Sequence, residues 1–326
     1  AENYPVFYAP INKSVHKFRK DFILKKIGAA ETHFRLIAIG DPQVTTGDIR
    51  RFREETMADI RLTVEASADP CYGIVLGDIS ANTPDAFSPM RAEIAAHPAL
   101  KTFVTIGNHD KSVSANGKVP DGKRFSAIYG PLDYSFNRGD VHFVCMDNIR
   151  FSSPTAYIAG FSDEQVEWLR QDLSFVPHSK MVVLFYHIPL RGASSGNAAK
   201  VLDMLKPFRE AHLMAGHTHY TENHIDTRRN NLYEHIHGAS CGMWWFSDLN
   251  GCGAPNCYYV YDIAGAKLAN GYFKGTHHPA QFQMRLHRGS DVCGGAHETF
   301  AYATLGVGPD ASTVIANVFN ADPEYW

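Results

Sequence analysis

The strongest constraint in this 326-residue sequence is a series of short apolar runs, each of strand length, recurring between residues 35 and 219. In order they read RLIAIGD, YGIVLGD, FVTIGNHD, VHFVCMDN, MVVLFYHIP and AHLMAGHTH. Between them lie stretches with helical spacing of apolar residues. One runs from Asp48 to about Ser67; in another, Ser162 and Gln165 form a capping box ahead of Val166, Leu169 and Leu173 on one face. Strands without polar alternation are buried on both faces, and their alternation with helices predicts an α/β layered fold.

The chemistry sits at the carboxyl end of each run. Asp41 and Gln43 come after LIAIG, Asp78 after IVLG, and Asn108, His109 and Asp110 after FVTIG; His187 comes after VVLFY, and His217 and His219 after HLMAG. Taken singly, Gly-Asp after a strand is an ordinary turn. A lone His is an ordinary half-buried side chain, and His-x-His arises by chance in a chain with 17 histidines. Independent turns do not account for five strand ends that all carry oxygen or imidazole donors. In an α/β sheet such groups converge beyond the carboxyl ends of the strands.

The set supplies two carboxylates, one Asn, one Gln and three imidazoles, with His109 left over. Mixed nitrogen and oxygen donors suit Mn, Fe or Zn, with Mg a further candidate, whereas calcium would take oxygen alone. Seven ligands are too many for one tetrahedral ion and match two ions sharing a bridging carboxylate. Two divalent ions stay net positive after Asp41, Asp78 and a hydroxide are counted, which suits an anionic phosphate ester.

The ordered series GD, GD, GNHD, H and GHTH resembles the calcineurin-like metallophosphoesterase superfamily over about residues 35 to 222. The resemblance implies a two-layer β-sandwich flanked by α-helices and a metal-dependent hydrolase of phosphate esters with a dinuclear centre and a metal-bound hydroxide nucleophile. It makes Asp41, Gln43 and His219 ligands of one metal, Asn108, His187 and His217 ligands of the other, and Asp78 the bridge. His109 becomes the general acid. Asp110 either orients His109 or caps a solvent-facing turn. The family more commonly has Asp-x-His where this chain has Asp41 and Gln43; an amide oxygen is a harder, weaker donor and shifts preference toward Mn. A Gln43 that bonds only to a metal-bound water is the alternative.

Other assignments stay open. Asn148 is a substrate contact or a turn residue, and Arg191, four residues after His187, is a candidate phosphate contact. Trp244 and Trp245 in SCGMWWFSD wall a pocket or divide between core and surface. His235 and His237 alternate on one strand face, either behind the site or as plain surface strand. Cys252 and Cys257 flank a turn and could bridge in an oxidising compartment; Cys145 reads as a buried thiol.

Three segments are expected: 1–34, a phosphoesterase domain over 35–278, and a small β-rich appendage over 279–326 that ends abruptly and is expected to be truncated. The domain includes a hairpin in NCYYVYDIAGAKLANGYFKG, around Ala264 to Ala266. The tail and the WW-containing segment resemble those of Bacteroides-type family members. Six basic residues in KSVHKFRKDFILKK are read as a solvated segment rather than a nucleic-acid or membrane patch.

A net charge of −3 argues against a protein whose main business is holding nucleic acid, so small-molecule or lipid head-group esters are favoured as substrates. No apolar stretch approaches the length of a membrane helix. A periplasmic or secreted location is the expectation; oligomeric state is undetermined. The alternative functions are a phosphoesterase scaffold kept only for binding, and a nuclease or phosphodiesterase on the same site.

Overall fold

The computed structural model of the chain describes residues 7–9, 11, 14–22, 28, 30–114, 117–288, 312, 314 and 316–321, with the backbone alone at 287, 288 and 315. Most of the core lies in two sheets. The first is built on β1 (His33–Ile39), β2 (Cys71–Val75) and β3 (Leu100–Val104), which run parallel. The second contains β4 (Tyr134–Arg138), β5 (Val141–Cys145), β6 (Met181–Phe185), β7 (Glu210–Ala215), β8 (Glu222–Asp226) and β9 (Leu232–Ile236). β10 (Cys257–Ala264) and β11 (Leu268–Gly275) then return to the first sheet, giving the order β11-β10-β1-β2-β3; the second runs β8-β9-β7-β6-β5-β4. β5, β6, β7 and β9 are mutually parallel, and β4, β8, β10 and β11 add antiparallel edges.

The period of two along each strand explains the layers. Phe34, Leu36 and Ala38 of β1 pack inward with Phe143, Met181, Val183, Phe185 and Met214 of the second sheet. Ile37 and Ile39, pointing the other way, pack with helical Phe52, Ile60, Phe87, Met90 and Ile94. On the far side Val144, Val182, Leu184 and Leu213 meet Leu169, Leu173, Val201 and Leu202. The result is the expected two-layer β-sandwich flanked by helices.

Local signals read as expected. The helix Asp163–Leu173 starts with the Ser162–Gln165 capping box, and the β10–β11 hairpin closes with Gly265 at φ 59 and the Ala264 N–H on the Lys267 carbonyl. The helical stretch after Asp48 contains an unforeseen π-type segment, Phe52–Met57, between Ile49–Arg51 and Ala58–Glu65. In the tail, β12 (Met284–Arg288) pairs with β13 (Val314–Val318), and Phe319 packs on Phe273. Cys252 and Cys257 are unpaired; Cys293 and residues 13 and 23–26 of the basic stretch lie outside the described residues. Cys145 is fully buried. His235 and His237 are not surface residues. Both are buried, His235 beside His212 and His237 between the Ala215 carbonyl and the Tyr261 hydroxyl.

Candidate metal centre

Because β1, β2, β3 and β5, β6, β7 are parallel within their sheets, their carboxyl ends open on one edge of each sheet, and the two edges meet. Asn108 Oδ1 lies 2.9 Å from His187 Nε2 and 3.0 Å from His217 Nδ1, and the two imidazole nitrogens are 3.2 Å apart. Asp78 Oδ2 is 3.2 Å from His187 Nε2. One carboxylate oxygen, one amide oxygen and two ring nitrogens from four loops thus face a common point. Asp78, His187 and His217 present donor atoms that all lie within 4.8 Å of one another.

Asp41 and His219 stand beside this group, His219 Nε2 being 3.7 Å from Asp41 Oδ1. Gln43 is 2% exposed, and its Oε1 has no hydrogen-bond partner among the described residues. A buried, unpartnered acceptor costs free energy that a cation would return. The donor set therefore fits divalent metal.

Tight backbone geometry delivers these groups. Asp41, Gln43, Asp78, His217 and His219 all have left-handed φ, at 36°, 40°, 47°, 73° and 58°. That conformation is costly for residues with a Cβ and clusters at functional sites. Two glycines clear the space: a Cβ on Gly107 would sit 2.0 Å from Asp78 Oδ1, and one on Gly216 would sit 2.4 Å from Asp41 Oδ2.

The electrostatics are those of carboxylates and imidazoles drawn out of water. Burial and the neighbouring Asp78 push Asp41 up to about 8, although His187 opposes them. Burial would raise Asp78 as well, yet His187 and His109 together hold it below the usual carboxylate range. His187, despite its burial, is drawn up to about 9 by Asp78. Burial, aided by the charge on His187, lowers His217 and His219 to about 4, leaving their rings neutral, the form that binds metal.

His109 lines the cleft above the donors. Its backbone N–H donates to Asp78 Oδ1 at 2.8 Å, and its buried Nδ1 has no partner among the described residues. The cleft has a volume of about 420 Å³, and Tyr157, Thr218, Met243, Trp244 and Gly251 complete it around Gln43, Asp78, Asn108, His217 and His219. Trp244 is 48% exposed with its ring 5.2 Å from that of His219, whereas Trp245 is buried.

Three expectations are corrected. Asp110 neither orients the His109 ring nor faces solvent. It is buried, and its carboxylate accepts backbone N–H bonds from Ile79, Ser80 and Gly107 at 3.1, 2.9 and 2.9 Å, bracing the Asp78 loop. Asn148 is fully buried and contacts no cleft: its Oδ1 accepts from the His187 and Ile188 N–H groups, and its Nδ2 donates to the Ile188 carbonyl. Arg191 does not line the cleft: its guanidinium forms a two-pronged pair with Glu222, Nε to Oε1 at 2.9 Å and Nη2 to Oε2 at 2.8 Å. The pair Trp244 and Trp245 divides between core and surface, and what the sequence did not announce is that the Trp245 indole N–H donates to the Pro42 carbonyl at 2.9 Å.

A curated relative from Rhodococcus erythropolis (strain PR4 / NBRC 100887), named a probable cyclic nucleotide phosphodiesterase, is 23% identical over 203 residues, covering 59% of this chain and 64% of that protein. The match thus spans less than two thirds of the relative's length. Among solved structures, GAP50, the anchor in the inner membrane complex of Plasmodium, aligns with a TM-score of 0.45 and 11% identity over 75% of this chain and 89% of its own. A 5'-nucleotidase precursor from Thermus thermophilus aligns with a TM-score of 0.42 and 12% identity over 77% and 56%. Residues 234–326 match the model for the C terminal of calcineurin-like phosphoesterase, and residues 34–221 match the model for calcineurin-like phosphoesterase itself. The chain belongs to the calcineurin-like phosphoesterase family.

Proposed function

We propose that this phosphoester hydrolase works with two divalent ions: Asp41, Gln43 and His219 hold one, Asn108, His187 and His217 hold the other, and Asp78 bridges them. The observation that carries the reading is the convergence of Asp78 Oδ2, Asn108 Oδ1, His187 Nε2 and His217 Nδ1 from four strand ends. When bound, the ions would supply Lewis acidity toward a phosphate oxygen and toward water.

The chain's own residues do the rest. Asp110 and Gly107 fix the loop that presents Asp78 and Asn108, and Asn148 fixes the backbone of His187. His109, tied through its backbone to Asp78 and facing the cleft, is placed to give a proton to the leaving-group oxygen. The neutral amide of Gln43 leaves the charge of the site as an imidazole would but binds harder ions better, so Mn is favoured over Zn at the first position.

Within this reaction class a phosphodiester is our first candidate substrate. The curated relative's name supports it, as does the cleft wall of Tyr157, Met243 and Trp244, which offers an apolar face to a leaving group. The test is an activity screen of metal-stripped protein reloaded with Mn, Fe, Zn or Mg, over phosphate monoesters, cyclic and linear diesters, and lipid head-group esters. Turnover with none of them would overturn the reading, and turnover of monoesters alone would overturn the diester preference.

A further inference from the structure

The turn Gly40–Val44 carries two of the proposed ligands, Asp41 and Gln43, both with left-handed φ. Such a turn keeps its shape only where its surroundings over-determine it. On one side it is held by the Asp78 loop: the Gln43 N–H donates to the Asp78 carbonyl at 2.7 Å and the Val44 N–H to that of Ile79 at 3.1 Å. On the other side it is held by a segment distant in sequence. Gly40 bridges with Ala239, the Ser240 N–H donates to the Gly40 carbonyl at 2.8 Å, and the Cys241 N–H reaches the Asp41 carbonyl at 3.4 Å. The peptide between the two ligands is fastened by one side chain, Trp245, through its indole N–H on the Pro42 carbonyl at 2.9 Å.

Trp245 is itself locked. It is 6% exposed and has φ 64°, a conformation that an aromatic residue adopts only under constraint. The Arg51 guanidinium donates to the Trp245 carbonyl and lies 5.3 Å from the ring centre, while also pairing with Glu55 at 2.7 Å and Asp248 at 3.0 Å. The preceding residue in the chain, Trp244, lines the cleft against the His219 ring. The Gly242-Met243-Trp244-Trp245 turn therefore reaches the donors assigned to the first ion from behind, His219 through the Trp244 ring and the Asp41–Gln43 backbone through Pro42.

We propose that Trp245 is a positioning residue for the first metal: its indole N–H fixes the Asp41-Pro42-Gln43 backbone, so that affinity at this position alone is set from the segment 238–248. The inference rests on the two-ion reading above. Groups that orient metal ligands from behind typically change affinity by about 10- to 100-fold when removed.

The decisive variant is Trp245→Phe, which keeps a buried aromatic ring and deletes the N–H donor. Metal content would be measured by elemental analysis after dialysis against a series of buffered Mn concentrations, with the parent protein in parallel and near-UV circular dichroism of both metal-free proteins as the folding check. The expected result is one ion bound as in the parent and the other about 10-fold or more weaker. Two ions held as in the parent, or both weakened alike, would overturn the proposal. A parent that binds a single ion would instead refute the two-ion reading, so the two failures are distinguishable. Should Trp245→Phe not fold, Arg51→Met provides the same test. By removing the Arg51 hold on the Trp245 carbonyl and ring it loosens the indole from the Pro42 carbonyl, and it must weaken one ion alone; unchanged binding, or equal weakening of both ions, overturns the proposal.

Discussion

Asn148 gives the sharpest test of how this site is held. A substrate contact and a buried brace predict different outcomes for Asn148→Ala. The side chain is fully buried and uses both ends of its carboxamide: Oδ1 accepts from the N–H groups of His187 at 3.3 Å and Ile188 at 3.1 Å, and Nδ2 donates to the Ile188 carbonyl at 2.6 Å. Truncation removes three hydrogen bonds of about 1 kcal/mol each and strands two donors and one acceptor out of water. The cost is therefore about 3 kcal/mol, a fall in thermal midpoint of about 4 °C for a chain of this length. The His187 backbone loses its anchor at the same time, so affinity for the second ion should drop by about 10-fold. Urea unfolding of the metal-free protein measures the first effect, and metal titration the second. A variant with the parent's unfolding midpoint and metal affinity but a raised KM would refute the brace and restore the substrate-contact reading.

Four other outcomes are expected. His109→Ala should bind both metals as the parent does yet lose about 10²- to 10⁴-fold in kcat, because only the proton donor is removed; unchanged turnover would remove the general-acid assignment. Asp78→Asn should lower metal content from two ions toward none, since the bridging charge serves both positions, and retention of two ions per chain by elemental analysis would contradict it. Gln43→His should tighten one ion only and shift activity from Mn toward Zn, which titration under mild chelation can check. Away from the site, hydrogen bonds from Arg228 and Arg229 outweigh burial and hold Asp226 at about 2. Its folded value lies below its unfolded one, so this stabilisation of about 2 kcal/mol is fully present above about pH 4 and fades as pH falls through about 2. Asp226→Asn should remove it at pH 7, and equal unfolding free energies for parent and variant at pH 7 would refute this.

How much of this was legible in the sequence depends on whether a residue's role is local or reaches across the fold. The convergence of Asp78, Asn108, His187 and His217 could be read because two local facts suffice: the side chain can ligate, and it sits just past a buried parallel strand. The braces could not. Asn148 holds His187 only because β5 and β6 are neighbours, in the register that places Cys145 opposite Phe185. Arg191 looked free because its partner, Glu222, lies on β8 across the sheet, and nothing near either residue announces the pair. Asp110 was misread for a related reason: from sequence its nearest chemistry is His109, but its carboxylate reaches three backbone donors from the Asp78 and Gly107 turns.

Trp245 is the extreme case, 203 residues from the carbonyl it anchors. It stands within the stretch matched by the C-terminal family model, while Pro42 stands within that matched by the phosphoesterase model. The strand-end motifs therefore state which atoms can bind metal, but the left-handed backbone that aims Asp41 and Gln43 is paid for from another part of the chain. Two proteins with the same motifs and different partners at that Pro42 carbonyl should share a ligand list and differ in how tightly they keep the first ion. Grafting a donor-free residue at 245 into this chain asks that question with every ligand unchanged.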